Sequence, residues 1–232
     1  MAVKVFCFDL YGTLLDIRTD EWSVSFWDRI ARLLDAGDGK AVQSAYLRLC
    51  ADAQAVLPPL AEIDLLTVFK NLLAEFHCTL DADAFAAEFR SLSRKKCRPF
   101  AGIRTTLRGL RARGVKLYLF SNAQACFTHA EIDRANLRKY FDGVLLSSEI
   151  GFKKPSPHFF ERACAQYALC PADCVYVGND LRDDVGGARG VGMRSVYIET
   201  EQSGRYFEPP VSDMVASDFV ELRKILFELA EK

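Results

Sequence analysis

The sequence lacks a strong excess of charge of either sign. Its 232 residues include 30 Lys and Arg against 31 Asp and Glu, which gives a formal net charge of −1. Proteins that bind nucleic acid or anionic membranes through electrostatics carry a basic patch or a basic domain. The balanced composition therefore argues against both kinds of partner, and we expect neither nucleic acid nor a membrane to be bound.

Long apolar runs are missing as well. No run approaches the roughly 18 residues that cross a bilayer. The apolar stretch at the N-terminus meets Asp9 too early to be a secretory signal peptide. We therefore expect a soluble, cytoplasmic protein, and both a monomer and a homodimer are compatible with the composition.

Patterns of cysteine and histidine that bind zinc are also absent. The chain has eight cysteines but no C-x2-C pair, and its three histidines have no partners at ligand spacing. Several cysteines lie inside apolar runs, where a thiol serves as a small hydrophobic side chain. We interpret them as reduced thiols.

What the sequence does contain is a series of buried-strand patterns that each end in polar side chains. The first strand, at residues 5–8, is followed by Asp9, and the strands expected at 115–120, 143–146 and 174–177 come before other polar groups. These groups are, in order, Ser121 with Asn122, then Lys154, then Asp180 with Asp183 and Asp184. The carboxyl ends of parallel strands share one edge of a sheet, where open α/β folds bind their ligands. We therefore expect these groups to meet.

Between the first two strands, apolar residues recur at helical spacing from Asp20 to about Lys96. Breakers at 37–39, 58–59 and 79–81 divide this stretch into four amphipathic helices, which bury their apolar faces most easily as an antiparallel bundle. The basic run at 94–98 fits the C-terminal end of the last helix.

The rest of the chain alternates strand and helix up to a strand at 195–198 and a closing helix at 220–231, with a loop at 201–213. This alternation predicts an α/β fold with a doubly wound parallel sheet. We predict an α/β core domain from residues 1–16 and 98–232. Residues 17–97 would form a second, helical domain inserted into this core, with connecting segments at 16–19 and 98–102.

The ordered motifs resemble those of the haloacid dehalogenase superfamily of hydrolases. That family carries D-x-[DYx]-G-T-L, a strand-terminal Ser or Thr, a Lys ahead of Pro, and G-D-x(3–4)-D; here they correspond to Asp9–Leu14, Ser121, Lys154 and Gly178–Asp184. The resemblance covers the chain from Val3 to about Ile198. It implies a Rossmann-like core, a cap that closes over the sheet edge, and a reaction through an aspartyl-enzyme intermediate on Asp9.

A carboxylate at a strand end can act as a covalent nucleophile, and a nearby ammonium and hydroxyl groups can stabilise the charge that develops. Arg18 could reach a substrate anion with its planar guanidinium, although a solvated loop arginine fits the sequence equally well. We predict catalytic roles for Asp9, Tyr11, Thr13, Ser121, Asn122 and Lys154, and substrate contacts from Arg18, Ser121, Asn122 and Lys154.

The carboxylates of Asp180, Asp183 and Asp184, after the fourth strand, favour the binding of a cation. Carboxylates that face Asp9 repel one another unless a positive charge lies between them, and Mg²⁺ prefers oxygen ligands. We interpret Asp183 as a surface residue. The predicted magnesium ligands are Asp9, the backbone carbonyl of Tyr11, Asn179, Asp180 and Asp184.

Two departures from the phosphatase pattern leave the reaction open. Tyr11 lies where the resemblance places a second Asp that protonates the leaving oxygen, and the string D-L-Y-G-T-L is similar to 2-haloacid dehalogenases, whose halide needs no proton. Asn179 replaces an Asp of the fourth motif, but the motif still contains the carboxylates of Asp180 and Asp184. Dehalogenases instead carry Ser-Ser-Asn there, and a Tyr where this chain has Phe160.

We predict a magnesium-dependent phosphatase that acts on a small phosphorylated metabolite. One alternative is a 2-haloacid dehalogenase, which would need no metal. A second is a catalytically idle binding or regulatory member of the family. The substrate itself does not follow from the sequence.

Overall fold

A six-stranded sheet lies at the centre of the fold in the computed structural model, which describes residues 4–231. Its order is β5-β4-β1-β6-β7-β8, and neighbouring strands are parallel. The strands are β1 (Val5–Phe8), β2 (Leu15–Thr19), β3 (Arg94–Pro99), β4 (Lys116–Ser121), β5 (Gly143–Leu146), β6 (Cys174–Gly178), β7 (Arg194–Ile198) and β8 (Met214–Ala216). The strand order reverses at β1, and such a switch point is where open α/β sheets bind ligands.

Helices cover both faces of this sheet, which confirms the predicted doubly wound α/β fold. They are α1 (Val24–Leu33), α2 (Gly39–Ala55), α3 (Leu65–Glu75), α4 (Ala82–Ser93), α5 (Ile103–Ala112), α6 (Ala125–Arg134), α7 (Ser147–Ile150), α8 (Pro157–Tyr167), α9 (Gly187–Gly190) and α10 (Phe219–Glu231). Because side chains alternate along a strand, Phe6 and Phe8 pack with α5 and α10, whereas Cys7 packs with α8 on the opposite face.

The four helices α1 to α4 follow one another in the predicted insert, and each begins at a side-chain cap. Ser23, Asp38, Asp64 and Asp81 accept hydrogen bonds from the first free N–H groups of these helices. Their apolar faces form a hydrophobic cluster of their own, distinct from the two clusters on the sheet.

Strands β2 and β3 form an antiparallel ribbon through which the chain enters and leaves these helices. The predicted helical end at 94–98 is therefore wrong, because Arg94 adopts an extended conformation after Ser93 and the segment pairs with β2. β8 was also missed, since it is three residues long and follows a loop. β3 begins inside the predicted cap, and the division at 17–97 stays a prediction.

The inserted helices are also tied to the sheet away from this ribbon. Phe127 of α6 packs inside their hydrophobic cluster, with its ring stacked on that of Phe89 at 6.2 Å between centroids. The amide of Glu62 donates to the carbonyl of Gly151 at 3.0 Å, and the amide of Lys153 donates to the carbonyl of Leu60 at 2.9 Å.

Within residues 4–231, the helices are all too short or too polar to cross a membrane. The cytoplasmic location stays a prediction.

Candidate active site

The carboxyl ends of β1, β4 and β6, together with the segment after β5, surround a small pocket. Its volume is about 170 Å³. It is lined by Asp9, Tyr11, Ser121, Asn122, Lys154, Asn179, Asp180, Asp183, Asp184 and Gln202. The structure therefore brings together most of the residues that the strand-end argument selected.

Asp9 lies directly after β1 and is only 6% exposed. Its Oδ1 accepts hydrogen bonds from Ser121 Oγ at 3.0 Å and from Lys154 Nζ at 2.8 Å. Its Oδ2 accepts a longer one from Thr13 Oγ1 at 3.2 Å. One carboxylate oxygen is thus firmly held, while the other has the weaker protein contact.

Lys154 is buried and places its ammonium between two carboxylates. Nζ lies 2.8 Å from Asp9 Oδ1 and 2.6 Å from Asp184 Oδ1. Burial alone would lower the pKa of Lys154, but the negative charges of Asp184 and Asp9 raise it well above its ordinary value. The side chain is therefore a fixed positive charge beside Asp9.

The third contact of this ammonium is Tyr176, which the sequence analysis missed. Lys154 Nζ donates to the Tyr176 hydroxyl at 2.9 Å, and that hydroxyl donates to the carbonyl of Phe120 at 2.6 Å. No sequence signal marks Tyr176, because it occupies an ordinary interior position of the buried strand β6.

Asp184 is 2% exposed, and burial raises the pKa of its carboxyl to about 7, although the charge of Lys154 opposes this rise. Its Oδ2 accepts a hydrogen bond from the amide of Asp180 at 3.0 Å. Gly178 makes room for it, since a Cβ at that position would lie 2.3 Å from Asp184 Cγ. One ammonium thus serves two buried carboxylates, and the site carries an excess of negative charge.

Asn122 holds the lysine segment in place. Its Oδ1 accepts from the amide of Lys154 at 2.7 Å, and its Nδ2 donates to the carbonyl of the same residue at 3.0 Å. This pair of hydrogen bonds fixes the backbone from which the ammonium extends.

Thr13 and Asn179 pack behind Asp9. Thr13 is fully buried and does not line the pocket, and its hydroxyl lies 3.0 Å from Asn179 Oδ1 as well as near Asp9. Gly12 has a φ of +83°, and a Cβ there would lie 2.4 Å from Asn179 Nδ2. Only glycine fits this turn, which brings Thr13 back under the carboxylate.

Asp180 and Asp183 have different surroundings from those that the sequence predicted. Asp180 caps the helical turn Leu181–Gly186 by accepting from the amides of Arg182 and Asp183, and its other oxygen accepts from the Tyr206 hydroxyl. Both of its carboxylate oxygens are thus engaged by the protein. Asp183, which we expected at the surface, instead lines the pocket and lies 3.4 Å from Asn122 Nδ2.

The Tyr11 phenol turns away from Asp9. Its hydroxyl donates to the buried carboxylate of Glu131 and lies 3.0 Å from Thr128 Oγ1, and neither partner lines the pocket. Burial, followed by the charge of Glu131, raises the pKa of Tyr11 above its ordinary value. The phenol therefore cannot supply a proton readily at neutral pH. Glu131, on α6, was not found from the sequence because a single acidic residue in a helix carries no signal.

Arg18 does not reach this pocket. Its guanidinium pairs with Glu201 at 2.9 Å, and both side chains are largely exposed. Arg18 lies on the exposed part of β2 and outside the residues that line the pocket, and its substrate contact stays a prediction. Gln202, two places before Gly204 in a loop without any recognised motif, lines the pocket instead.

Among residues 4–231, no three Asp, Glu, His or Cys side chains lie close enough together to hold a metal ion. The residues that line the pocket include four with carboxylate side chains and, among the amides, Asn179. Mg²⁺ usually takes only one or two protein carboxylates and keeps several waters. The chemistry of this donor set is therefore compatible with magnesium.

A carboxylate beside a buried lysine, at the switch point of a doubly wound sheet, defines an α/β enzyme site. Residues 3–192 match the family model described as haloacid dehalogenase-like hydrolase. The chain belongs to this hydrolase family, which confirms the resemblance seen in its motifs.

Glyceraldehyde 3-phosphate phosphatase of Methanothermobacter thermautotrophicus is 32% identical over 133 residues, which are 56% of this chain and 59% of that protein. The match thus spans less than two thirds of the relative's length.

Solved structures from both branches of the family share the fold. The 2-haloacid dehalogenase from Pseudomonas syringae pv. Tomato DC3000 has a TM-score of 0.69 at 21% identity, with 97% of this chain and 99% of that chain covered. The HAD phosphatase from Thermococcus onnurineus has a TM-score of 0.63 at 22% identity, with 96% and 97% covered. The fold alone does not distinguish the two reactions.

Proposed function

We propose that the protein is a magnesium-dependent phosphatase that acts on a small phosphorylated metabolite through a phosphorylated Asp9. The observation that carries this proposal is the charge of the pocket. Asp9 and Asp184 share one ammonium, and Asp180 and Asp183 line the same cavity. An anionic substrate can approach Asp9 only if a further positive charge is present.

The chemistry proceeds in two displacements. Asp9 Oδ2, the less firmly held oxygen, attacks phosphorus, and the bond from phosphorus to the leaving oxygen breaks. That oxygen keeps the electron pair and takes up a proton from solvent. A water oxygen then attacks the same phosphorus and breaks its bond to Asp9. Orthophosphate leaves, one proton passes to solvent, and the free carboxylate is restored.

The neighbouring side chains position and stabilise these groups. Ser121 and Lys154 hold Oδ1, so the other oxygen faces the reacting phosphorus. The ammonium of Lys154 also offsets negative charge on the phosphoryl oxygens. Thr13 lies behind the carboxylate and acts on Asp9 rather than on the substrate.

Asp9, Asp184, Asn179 and the Tyr11 carbonyl are the groups that would hold Mg²⁺. When bound, the ion neutralises phosphate charge and orients the phosphoryl group. Asp180 is a weaker candidate because its oxygens cap a helical turn and bind Tyr206. The phosphatase name of the archaeal relative supports the same reaction class.

The metal-independent 2-haloacid dehalogenase remains the second candidate, and the orientation of Tyr11 favours it. Because the phenol is hydrogen-bonded to Glu131, the pocket offers no evident acid that could protonate a departing alkoxide. A halide leaves without a proton. Against this candidate, a haloacid carboxylate would meet four carboxylates in the lining, whose counter-charges are the buried Lys154 and the exposed Arg182 that pairs with Asp183.

The test is to assay phosphate release from phosphate monoesters and halide release from L-2-haloacids, each with chelator and with added Mg²⁺. We expect phosphate release that is lost in chelator and restored by Mg²⁺. Asp9→Asn should lower turnover by about 10³-fold or more while circular dichroism stays unchanged. Halide release that persists in chelator would establish the dehalogenase instead, and substantial activity of Asp9→Asn would exclude the covalent route.

A further inference from the structure

The pocket beside Asp9 is smaller than most sites for organic ligands. Its volume is about 170 Å³, whereas sites for drug-sized ligands measure roughly 300–1,000 Å³. It has room for the reacting group, and any larger part of the substrate would extend beyond it.

The residues that line the pocket show which part of the protein lies next to it. Among the described residues that line the pocket, none belongs to α1–α4. Ser121 ends β4, and all the others except Gln202 belong to the segments that follow β1, β4, β5 and β6. Gln202 comes from the loop after β7, and it also lines a second cavity of about 650 Å³. The two cavities therefore adjoin at this side chain, and the second has the size of a ligand site.

Gln202 is held in a definite orientation. Its Nε2 donates to Asp16 Oδ1 at 3.2 Å, and its amide N–H donates to Thr200 Oγ1 at 3.3 Å. A carboxylate accepts hydrogen bonds only, so the nitrogen of the side-chain amide must face Asp16. Within residues 4–231 the carbonyl oxygen of this amide accepts no hydrogen bond, which leaves it able to accept one from a substrate hydroxyl.

The second cavity carries an excess of negative charge. Its lining includes four carboxylates, from Asp16, Glu199, Glu201 and Asp218, but only two cations, from Lys96 and Arg205. Asp16 pairs with Lys96, and Glu201 pairs with Arg18, which leaves Glu199 and Asp218 against Arg205 and an excess of one negative charge. A second anionic group on the substrate would be repelled here, whereas hydroxyl groups would find acceptors in the carboxylates and in Gln202.

We propose that Gln202 is a specificity-determining residue that contacts the leaving group. The cavity beside it selects phosphate monoesters with neutral, hydroxyl-bearing leaving groups over those that carry a second anionic group. This inference rests on the proposed phosphatase function. It assigns a part in substrate selection to the loop after β7.

The experiment compares kcat/KM for two matched esters, glycerol 3-phosphate and 3-phosphoglycerate, with p-nitrophenyl phosphate as a general substrate. We expect the wild type to prefer glycerol 3-phosphate over 3-phosphoglycerate. Gln202→Ala removes one hydrogen bond and should lower kcat/KM for glycerol 3-phosphate by about tenfold, mainly through KM, with a smaller loss for p-nitrophenyl phosphate. Gln202→Glu keeps the size, adds a charge, and should lower the value for 3-phosphoglycerate further.

Gln166→Ala, at an exposed glutamine on α8, is the matched control and should change none of these values. A wild type that prefers 3-phosphoglycerate would overturn the inference. So would a Gln202→Ala variant that leaves all three values unchanged or lowers them by one common factor. Failure of the phosphatase proposal is distinguishable, because the wild type would then release phosphate from none of the three esters, and the inference would fall with it.

Discussion

At the scale of single residues, Tyr11 is where the proposed phosphatase lacks an acid for the leaving group. Its hydroxyl is hydrogen-bonded to Glu131 and Thr128, and burial raises its pKa above the ordinary value. A phosphatase without a general acid at this position should show rates that depend steeply on the pKa of the leaving group, because general acid catalysis contributes about 10²–10⁴-fold.

Tyr11→Asp is expected to flatten this dependence by raising the turnover of alkyl phosphates more than that of aryl or acyl phosphates. The measurement is kcat/KM across a series of esters with graded leaving-group pKa. Tyr11→Phe, which removes only the hydroxyl, should keep the steep dependence of the wild type. If the wild type already hydrolyses all the esters at similar rates, another residue donates the proton.

At the scale of elements, a buried ion pair joins α4 to α6. Arg90 Nε lies 2.9 Å from Glu131 Oε1, and the two side chains are 13% and 1% exposed. Removing Glu131 leaves the largely buried Arg90 with only the more exposed Glu21, at 3.5 Å, as a counter-charge. Loss of one member of a buried pair typically costs about 3–5 kcal/mol. Glu131→Gln should therefore lower the free energy of unfolding by this amount, as measured by urea denaturation.

Glu201→Gln is the matched control. The same chemical change there breaks the Arg18–Glu201 pair, whose side chains are 63% and 86% exposed. Exposed pairs contribute about 0–1 kcal/mol, so little stability should be lost. Equal losses in the two variants would show that the Arg90–Glu131 pair is not protected from solvent.

The strands and the ends of the strands were predictable because each is encoded locally. The apolar runs before Asp9, Ser121 and Asp180 gave the strands to within a residue or two, and parallel pairing then brought the polar groups together. The basic run at Arg94–Arg98 misled the prediction because its pairing with β2 is a contact between distant segments.

The remaining parts of the site could not be predicted because they depend on side-chain contacts between distant segments. Tyr176 reaches Lys154 from inside a strand, and Glu131 reaches Tyr11 from a helix 120 positions away. Gln202 enters the pocket from a loop. None of these residues lies in a motif, so only the folded arrangement shows their partners.

At the scale of the whole molecule, the hydrophobic cluster of α1–α4 and the clusters on the sheet are joined by Phe127, by the Arg90–Glu131 pair and by backbone hydrogen bonds. We therefore expect one cooperative unfolding transition. Both tryptophans lie in the insert, Trp27 buried at 2% exposure and Trp22 exposed at 80%. Tryptophan fluorescence thus follows the inserted helices, while circular dichroism follows the whole chain, and the two curves should coincide.

Phe127→Ala should destabilise the protein by about 3–5 kcal/mol and separate the two curves, because it removes the ring that links the insert to α6. Phe207→Ala is the control, since that side chain is 99% exposed. Two separate transitions in the wild type would show that the insert folds on its own, in accordance with the predicted domain division.

The ribbon of β2 and β3 has a consequence for how such a protein can change over evolutionary time. Because Leu15 pairs with Pro99, the chain leaves the core and returns to it at adjacent points. The segment between them can lengthen, shorten or be exchanged while the path of every strand in the sheet stays the same, since a long excursion adds little to the entropy of loop closure. The sheet edge at Asp9 and the inserted helices can therefore diversify at different rates.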